Sequence, residues 1–127
     1  MDNIIQQISE KLTKKILEKA YSGGICDIDL LSSSILEDCK SAARDILEAI
    51  VSDLNIKIRE DKSSRKARGL ILKEKNRERS LLTEIGRLNL PRDYYYDKKE
   101  EKYDYLLDRV IGLQGYERIS AGVRAKL

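Results

Sequence analysis

From Leu30 to Arg68 the chain has no glycine and no proline, and through that stretch one apolar stripe repeats at helical spacing. Leu31, Ile35, Cys39, Ala42, Ile46, Ile50, Leu54 and Ile58 follow one another in steps of four or three, which puts them on one face of an α-helix. The spacing predicts a helix from Asp29 to about Lys62, roughly 50 Å long at ~1.5 Å per residue. Asp27 or Asp29 can cap its start, because a short acidic side chain accepts from the unpaired N–H groups of a first turn. An earlier helix is expected over residues 2–21, where Ile4, Ile8, Leu12, Ile16 and Ala20 recur and Ile5 and Leu17 widen the stripe. Gly23 and Gly24 supply its stop. That helix spans only about 30 Å, so folding it back on the longer one leaves much of the long stripe uncovered and open to a partner helix.

After Gly69 the pattern changes. Gly69-Leu-Ile-Leu, Ser80-Leu-Leu-Thr, Tyr94-Tyr-Tyr and Tyr103-Asp-Tyr-Leu-Leu are short runs of strand-favouring residues. Asn76-Arg-Glu-Arg79 reads as a polar break between the first two, Pro91 as a strand edge or bend, and Asp97 to Lys102 as a wholly charged turn. Leu107 to Leu113 reads as a loop or helical turn, and Ser120 as the cap of a last helix carrying Val123 and Leu127. The expected fold is α+β: a helical arm over 1–68, one short and one long helix, then a small antiparallel β-meander and the start of a C-terminal helix over 69–127. A helix that stops after barely two turns leads us to expect a chain cut before a further domain.

Composition narrows the chemistry. Histidine is absent, and Cys26 and Cys39 stand without metal-binding spacing, whereas a structural zinc needs about four such ligands. A serine or cysteine nucleophile would lack its usual base. Asp93, Asp97, Asp104 and Asp108 cluster in sequence, but on a short hairpin they are expected mostly to face solvent. No phosphate-binding loop or dinucleotide fingerprint is present. No cofactor, metal or small-molecule substrate is therefore expected, and no catalytic residue is assigned. No apolar run is long enough for a membrane span and the N-terminus is not a signal peptide, which makes the cytoplasm the expected location.

The net charge of +3 is unevenly spread. Residues 1–56 carry a net −4, residues 57–79 a net +6, and residues 80–127 a net +1. The middle block holds Lys57, Arg59, Lys62, Arg65, Lys66, Arg68, Lys73, Lys75, Arg77 and Arg79, ten cations that can neutralise phosphates. All aromatic bulk is in seven tyrosines. Tyr94 and Tyr96 share a strand face, as do Tyr103 and Tyr105, so cross-strand packing is their first expected role and stacking on unpaired bases a second.

The strings Arg92-Asp-Tyr-Tyr-Tyr-Asp, Tyr105-Leu-Leu-Asp-Arg, Gly112-Leu and Tyr116-Glu-Arg-Ile-Ser, with Arg79-Ser-Leu-Leu-Thr-Glu-Ile-Gly86, Leu70-Ile-Leu-Lys-Glu-Lys75 and the opening Met1 to Leu12, form an ordered series. It resembles the N-terminal region of the Lre-type insertion-sequence transposases, also classed as an uncharacterised protein family (UPF0236). The resemblance implies a longer protein with a downstream RNase H-like domain, whose acidic triad holds two divalent metals. It carries no catalytic residue onto this chain. The expectation is a non-catalytic module that contacts transposon-end DNA through residues 57–79 and pairs with itself or other protein through the long helix. The alternative is an assembly module from a decayed mobile element, without DNA binding.

Overall fold

The computed structural model describes residues 2–22 and 27–113, in two compact units, Met1–Ala49 and Ile50–Leu127. The expected Gly23-Gly24 stop, Cys26, and the helix after Ser120 lie outside the described residues.

The first unit holds α1 (Asp2–Tyr21) and the opening of α2 (Ile28–Glu60). Asp27 is the cap of α2: its Oδ1 accepts from the Asp29 N–H at 2.8 Å and the Leu30 N–H at 3.4 Å. The α1 face that finds cover is Ile5, Ile8, Leu12, Ile16 and Lys19, while Ile4, Leu17 and Ala20 are exposed. Steps of three and four track the helical turn more closely than the run of fours read from the sequence, which drifts around the helix. Lys19 Nζ joins the two helices by reaching both carboxylate oxygens of Asp38 at 2.9 Å. On α2 the covered line passes through the buried Asp38 and Ala42, and Cys39, placed in the stripe by spacing, is exposed.

The second unit holds the end of α2, a short α3 (Lys62–Ala67), strands β1 (Leu70–Thr83), β2 (Gly86–Asp97) and β3 (Lys102–Asp104), and α4 (Leu106–Val110). The long helix stops at Glu60 because Asp61 turns out of the helix and caps α3, accepting from the Ser64 N–H at 3.4 Å. Gly69, at φ +71°, ends α3 and opens β1, a left-handed backbone that a residue with a Cβ adopts only at a cost. The sheet is antiparallel in the order β1-β2-β3, and the fold is α+β.

The expected break at Asn76–Arg79 is absent. β1 is one strand of 14 residues, with register irregularities between Leu72 and Arg77. Asn76 sits there at φ +54°; asparagine is among the few residues that take this backbone readily, so the strand bulges and continues. Pro91 pairs with Glu78 of β1, and β3 meets β2 only at Tyr95–Asp97. At Pro91, β2 is therefore a sheet edge on its other side, where proline is tolerated. Leu70, Tyr95 and Leu106 form a buried cluster, against which Ile58 of α2 and Leu72 pack.

Candidate nucleic-acid interface

The end of α2 is fastened to the sheet through Asp93, which is fully buried on β2. Arg59 grips it with two parallel bonds, Nε to Oδ2 at 2.6 Å and a terminal nitrogen to Oδ1 at 2.8 Å, the fork geometry in which guanidinium and carboxylate fit best. Asn55, one turn earlier, donates to Oδ1 at 3.0 Å and accepts from the Asp93 N–H at 2.9 Å. The bulge at Asn76 turns its own N–H onto Oδ1 at 2.9 Å, while its side-chain oxygen accepts from Arg59 at 2.9 Å. Burial pushes the Asp93 carboxyl up, but the bonds from Arg59, Asn76 and Asn55 outweigh it and hold the group below the usual carboxylate range. Its hydrogen bond to Asp93 raises Arg59 in turn. Burial and the neighbouring Asp93 push the Tyr95 phenol up to about 12.

A second buried carboxylate, Asp108 on α4, takes Arg79 at 3.1 Å and Arg92 at 2.8 Å, both on Oδ2. The expectation that the clustered aspartates mostly face solvent is therefore corrected for Asp93 and Asp108. Both lie on inward-facing positions where an arginine meets them. Asp104 pairs with Arg109, and Asp97 accepts from the N–H groups of Lys99 and Glu100 in the charged turn. Among the described residues no three histidine, cysteine or acidic side chains come together as a metal site.

The ten cations of the basic block divide by environment. Arg59 and Arg79 are spent inside the unit on Asp93 and Asp108. Arg65 is half-buried: it donates to the Arg59 carbonyl at 2.7 Å and lies over the Tyr95 ring, 5.7 Å from its centre. Lys57, Lys62, Lys66, Arg68, Lys73, Lys75 and Arg77 are exposed, with Lys57 bound to Asp53 at 2.9 Å and Arg77 to Glu74 at 3.3 Å. Where α3 meets β1, Lys62, Arg65, Lys66, Gly69 and the first residues of β1 surround a hollow of about 190 Å³. Its remaining wall is Lys98, from the charged turn between β2 and β3. Sequence reading missed Lys98; the charged run marked a turn but not its position beside α3.

The tyrosines pack across strands as their alternation implied. Tyr94 stacks on Tyr103 with ring centres 5.1 Å apart and an 11° tilt, and Tyr105 and Tyr96 complete the patch. Arg77 lies 4.6 Å from the Tyr94 ring centre and Arg92 3.5 Å from that of Tyr105, so cations sit over two of these rings, while Tyr103 stays exposed.

A helical unit, a three-stranded antiparallel sheet and a cationic junction between helix and strand define an α+β chain with seven exposed cations from Lys57 to Arg77. Residues 24–127 match the model of the uncharacterised protein family UPF0236, and the chain belongs to that family. It is similar to UPF0236 proteins of Caldanaerobacter subterraneus subsp. tengcongensis. One is 30% identical over 129 residues, covering 99% of this chain and 27% of the relative. A second is 33% identical over 101 residues, covering 80% and 21%. The chain thus spans about a quarter of the length of the curated relatives it matches. No solved structure matches it. Among the described residues no helix is long and apolar enough to cross a membrane.

Proposed function

We propose that this chain is a non-catalytic N-terminal module of an insertion-sequence transposase, and that it contacts transposon-end DNA through the α3–β1 junction. The observation that carries the reading is the sorting of the basic block. Arg59 and Arg79 are turned inward onto buried carboxylates, while seven cations, of which Lys57 and Arg77 also meet an exposed or half-buried acid, stay in water over a short length of chain. Clustered surface cations raise the local potential and attract a polyanion. The resemblance to Lre-type transposases supplies the choice of DNA. Two relatives add support through names that join eleven and four designations, as befits a protein encoded many times in one genome, the footprint of a mobile element.

Anisotropy titration of labelled duplex DNA at two salt concentrations tests this. Each phosphate neutralised contributes roughly −0.9 to the slope of log affinity against log salt, so five contacts give a slope of about −4 to −5. Binding that ignores salt, or no binding at low salt, removes the reading.

A second reading, an assembly module without DNA affinity, is favoured by the helical unit. No residue of α1 is buried, and Ile4, Leu17, Leu30 and Leu36 are exposed, more apolar surface than a finished core leaves in water. It predicts an oligomer whose mass rises with concentration in sedimentation and falls on changing Ile35, Ile46, Ile50 and Leu54 to polar residues.

A further inference from the structure

We propose that the hollow between α3 and the β2–β3 turn is a phosphate-binding site, the point at which the DNA backbone is gripped rather than merely attracted; this rests on the DNA reading above. Lys62, Arg65, Lys66 and Lys98 line the hollow and no carboxylate does. Among the described residues none of the four has an acidic partner. Elsewhere in the unit the cations near carboxylates pair with them, as Lys57, Arg59, Arg77, Arg79, Arg92 and Arg109 do. Four like charges drawn together without a counter-charge repel one another, and a bound anion removes that cost.

Arg65 and the backbone of the turn that carries Lys98 are held in place before any ligand arrives. Arg65 is fixed by its bond to the Arg59 carbonyl and by the Tyr95 ring beneath it, and Arg59 is itself clamped by Asp93. The turn carrying Lys98 is tied to the junction twice: the Lys98 N–H donates to the Gly69 carbonyl at 2.9 Å, and Lys99 Nζ donates to the Ala67 carbonyl at 3.0 Å. A Cβ at Gly69 would meet Lys99 Cγ at 3.4 Å and Lys98 Cβ at 3.6 Å, ordinary contacts; glycine is required there by its φ of +71°, which turns the Gly69 carbonyl region of the chain into β1 beside the charged turn. A guanidinium held like that of Arg65 loses little freedom on binding. A volume of about 190 Å³, where one water needs ~10–15 Å³, admits a phosphate group with part of its hydration. The shared chemistry is phosphate, either within a DNA backbone or free.

The test uses the 127-residue chain and two ligands. Inorganic phosphate is titrated in amide-resolved NMR, and duplex DNA by anisotropy, for wild type, K66Q/K98Q and the control K73Q/K75Q. We expect phosphate to shift the amides of Lys66, Gly69 and Lys98 first. K66Q/K98Q should abolish those shifts and weaken duplex binding roughly ten-fold, the loss of about one charge-assisted bond. K73Q/K75Q should weaken it roughly two- to three-fold, as expected for screened surface charge. Phosphate shifts spread evenly over the exposed lysines, or equal losses from the two double variants, overturn the site. Phosphate bound in the hollow by a chain that binds no duplex upholds the site and removes the DNA reading. Unchanged melting midpoints in both variants confirm that the fold is intact.

Discussion

Asp93 and Asp108 are both buried and both bound to arginine, yet the fold shifts their carboxyls in opposite directions. Asp93 is held below the ordinary range, and Asp108 is pushed above it. Asp93 spreads its donors over both oxygens: Asn55, Arg59 and the Asn76 N–H reach Oδ1, and Arg59 Nε reaches Oδ2. At Asp108 both arginines crowd one oxygen, and Oδ1 is buried with no partner among the described residues. Burial is therefore the larger influence on Asp108, against the attraction of Arg92 and Arg79. Two cations do less for a buried carboxylate than one cation and two amides arranged around both of its oxygens. Desolvation is repaid lone pair by lone pair, and an oxygen left bare keeps its penalty.

The sharpest way to break this comparison is Asp93→Asn. The amide cannot accept the fork of Arg59 on both atoms, and it sets an NH₂ against donors. Breaking a buried pair by changing one partner costs about 3–5 kcal/mol. Arg59 keeps 21% of its side-chain surface in water, which puts the expected loss near the lower end, about 3 kcal/mol. Urea denaturation measures it, and a loss below about 1 kcal/mol would show that Asp93 is not the fastening point of α2. Because Arg59 holds the backbone carbonyl to which Arg65 is bound, the same variant should also loosen the phosphate hollow.

Asn76 comes next. Its backbone at φ +54° carries the N–H that caps Asp93. Asn76→Ala keeps that N–H but loses the bond to Arg59 and suits the left-handed backbone less well, an expected cost of about 1–2 kcal/mol. Asn76→Gly loses the same bond but relaxes the backbone, so it should cost roughly 1 kcal/mol less than alanine. Equal losses would mean that the bulge carries no strain and that only the side chain matters.

These residues also mark where sequence reading stopped. The α+β order, both long helices, the charged turn and the tyrosine alternation follow from periodicity and composition, which are local properties of the chain. By sequence Asn76 reads as the end of a strand because polar runs interrupt strands; the reason to continue lies 17 residues away, in Asp93. Asn55 and Arg59 stand one helical turn apart beside Val51 and Ile58, an outward polar pair until Asp93 is set opposite them. The basic block was visible as a run of charge. Its division into two inward arginines, the half-buried Arg65 and seven outward cations depends on which groups the fold brings near, and Lys98 joins it only through the β2–β3 turn. Charge can be counted along a chain, but its partners are set by tertiary structure.

The smallest expected effect is at Asp108, and its sign is the more informative quantity. A carboxyl raised by folding binds its proton more tightly in the native state than in the unfolded chain. Its ionisation therefore costs stability at neutral pH, and that cost is relieved as pH falls through the native value toward the unfolded one near ~3.9. Asp93 does the reverse. Its contribution is complete above ~3.9 and is lost as pH falls from there toward its lower native value. Asp108→Asn supplies a permanently neutral isostere, which removes the desolvation penalty but also one counter-charge for Arg79 and Arg92. These offset, and the expected change at pH 7 is within about 1 kcal/mol. Stability followed from pH 7 to pH 3 separates the two sites. The wild type should gain slightly on the way to pH ~4 and then fall; D108N should lose the early gain and keep the fall, and D93N should keep the gain and lose most of the fall. A D108N profile that overlays the wild type would mean that Asp108 is compensated as fully as Asp93, and that placing both arginines on one oxygen carries no cost.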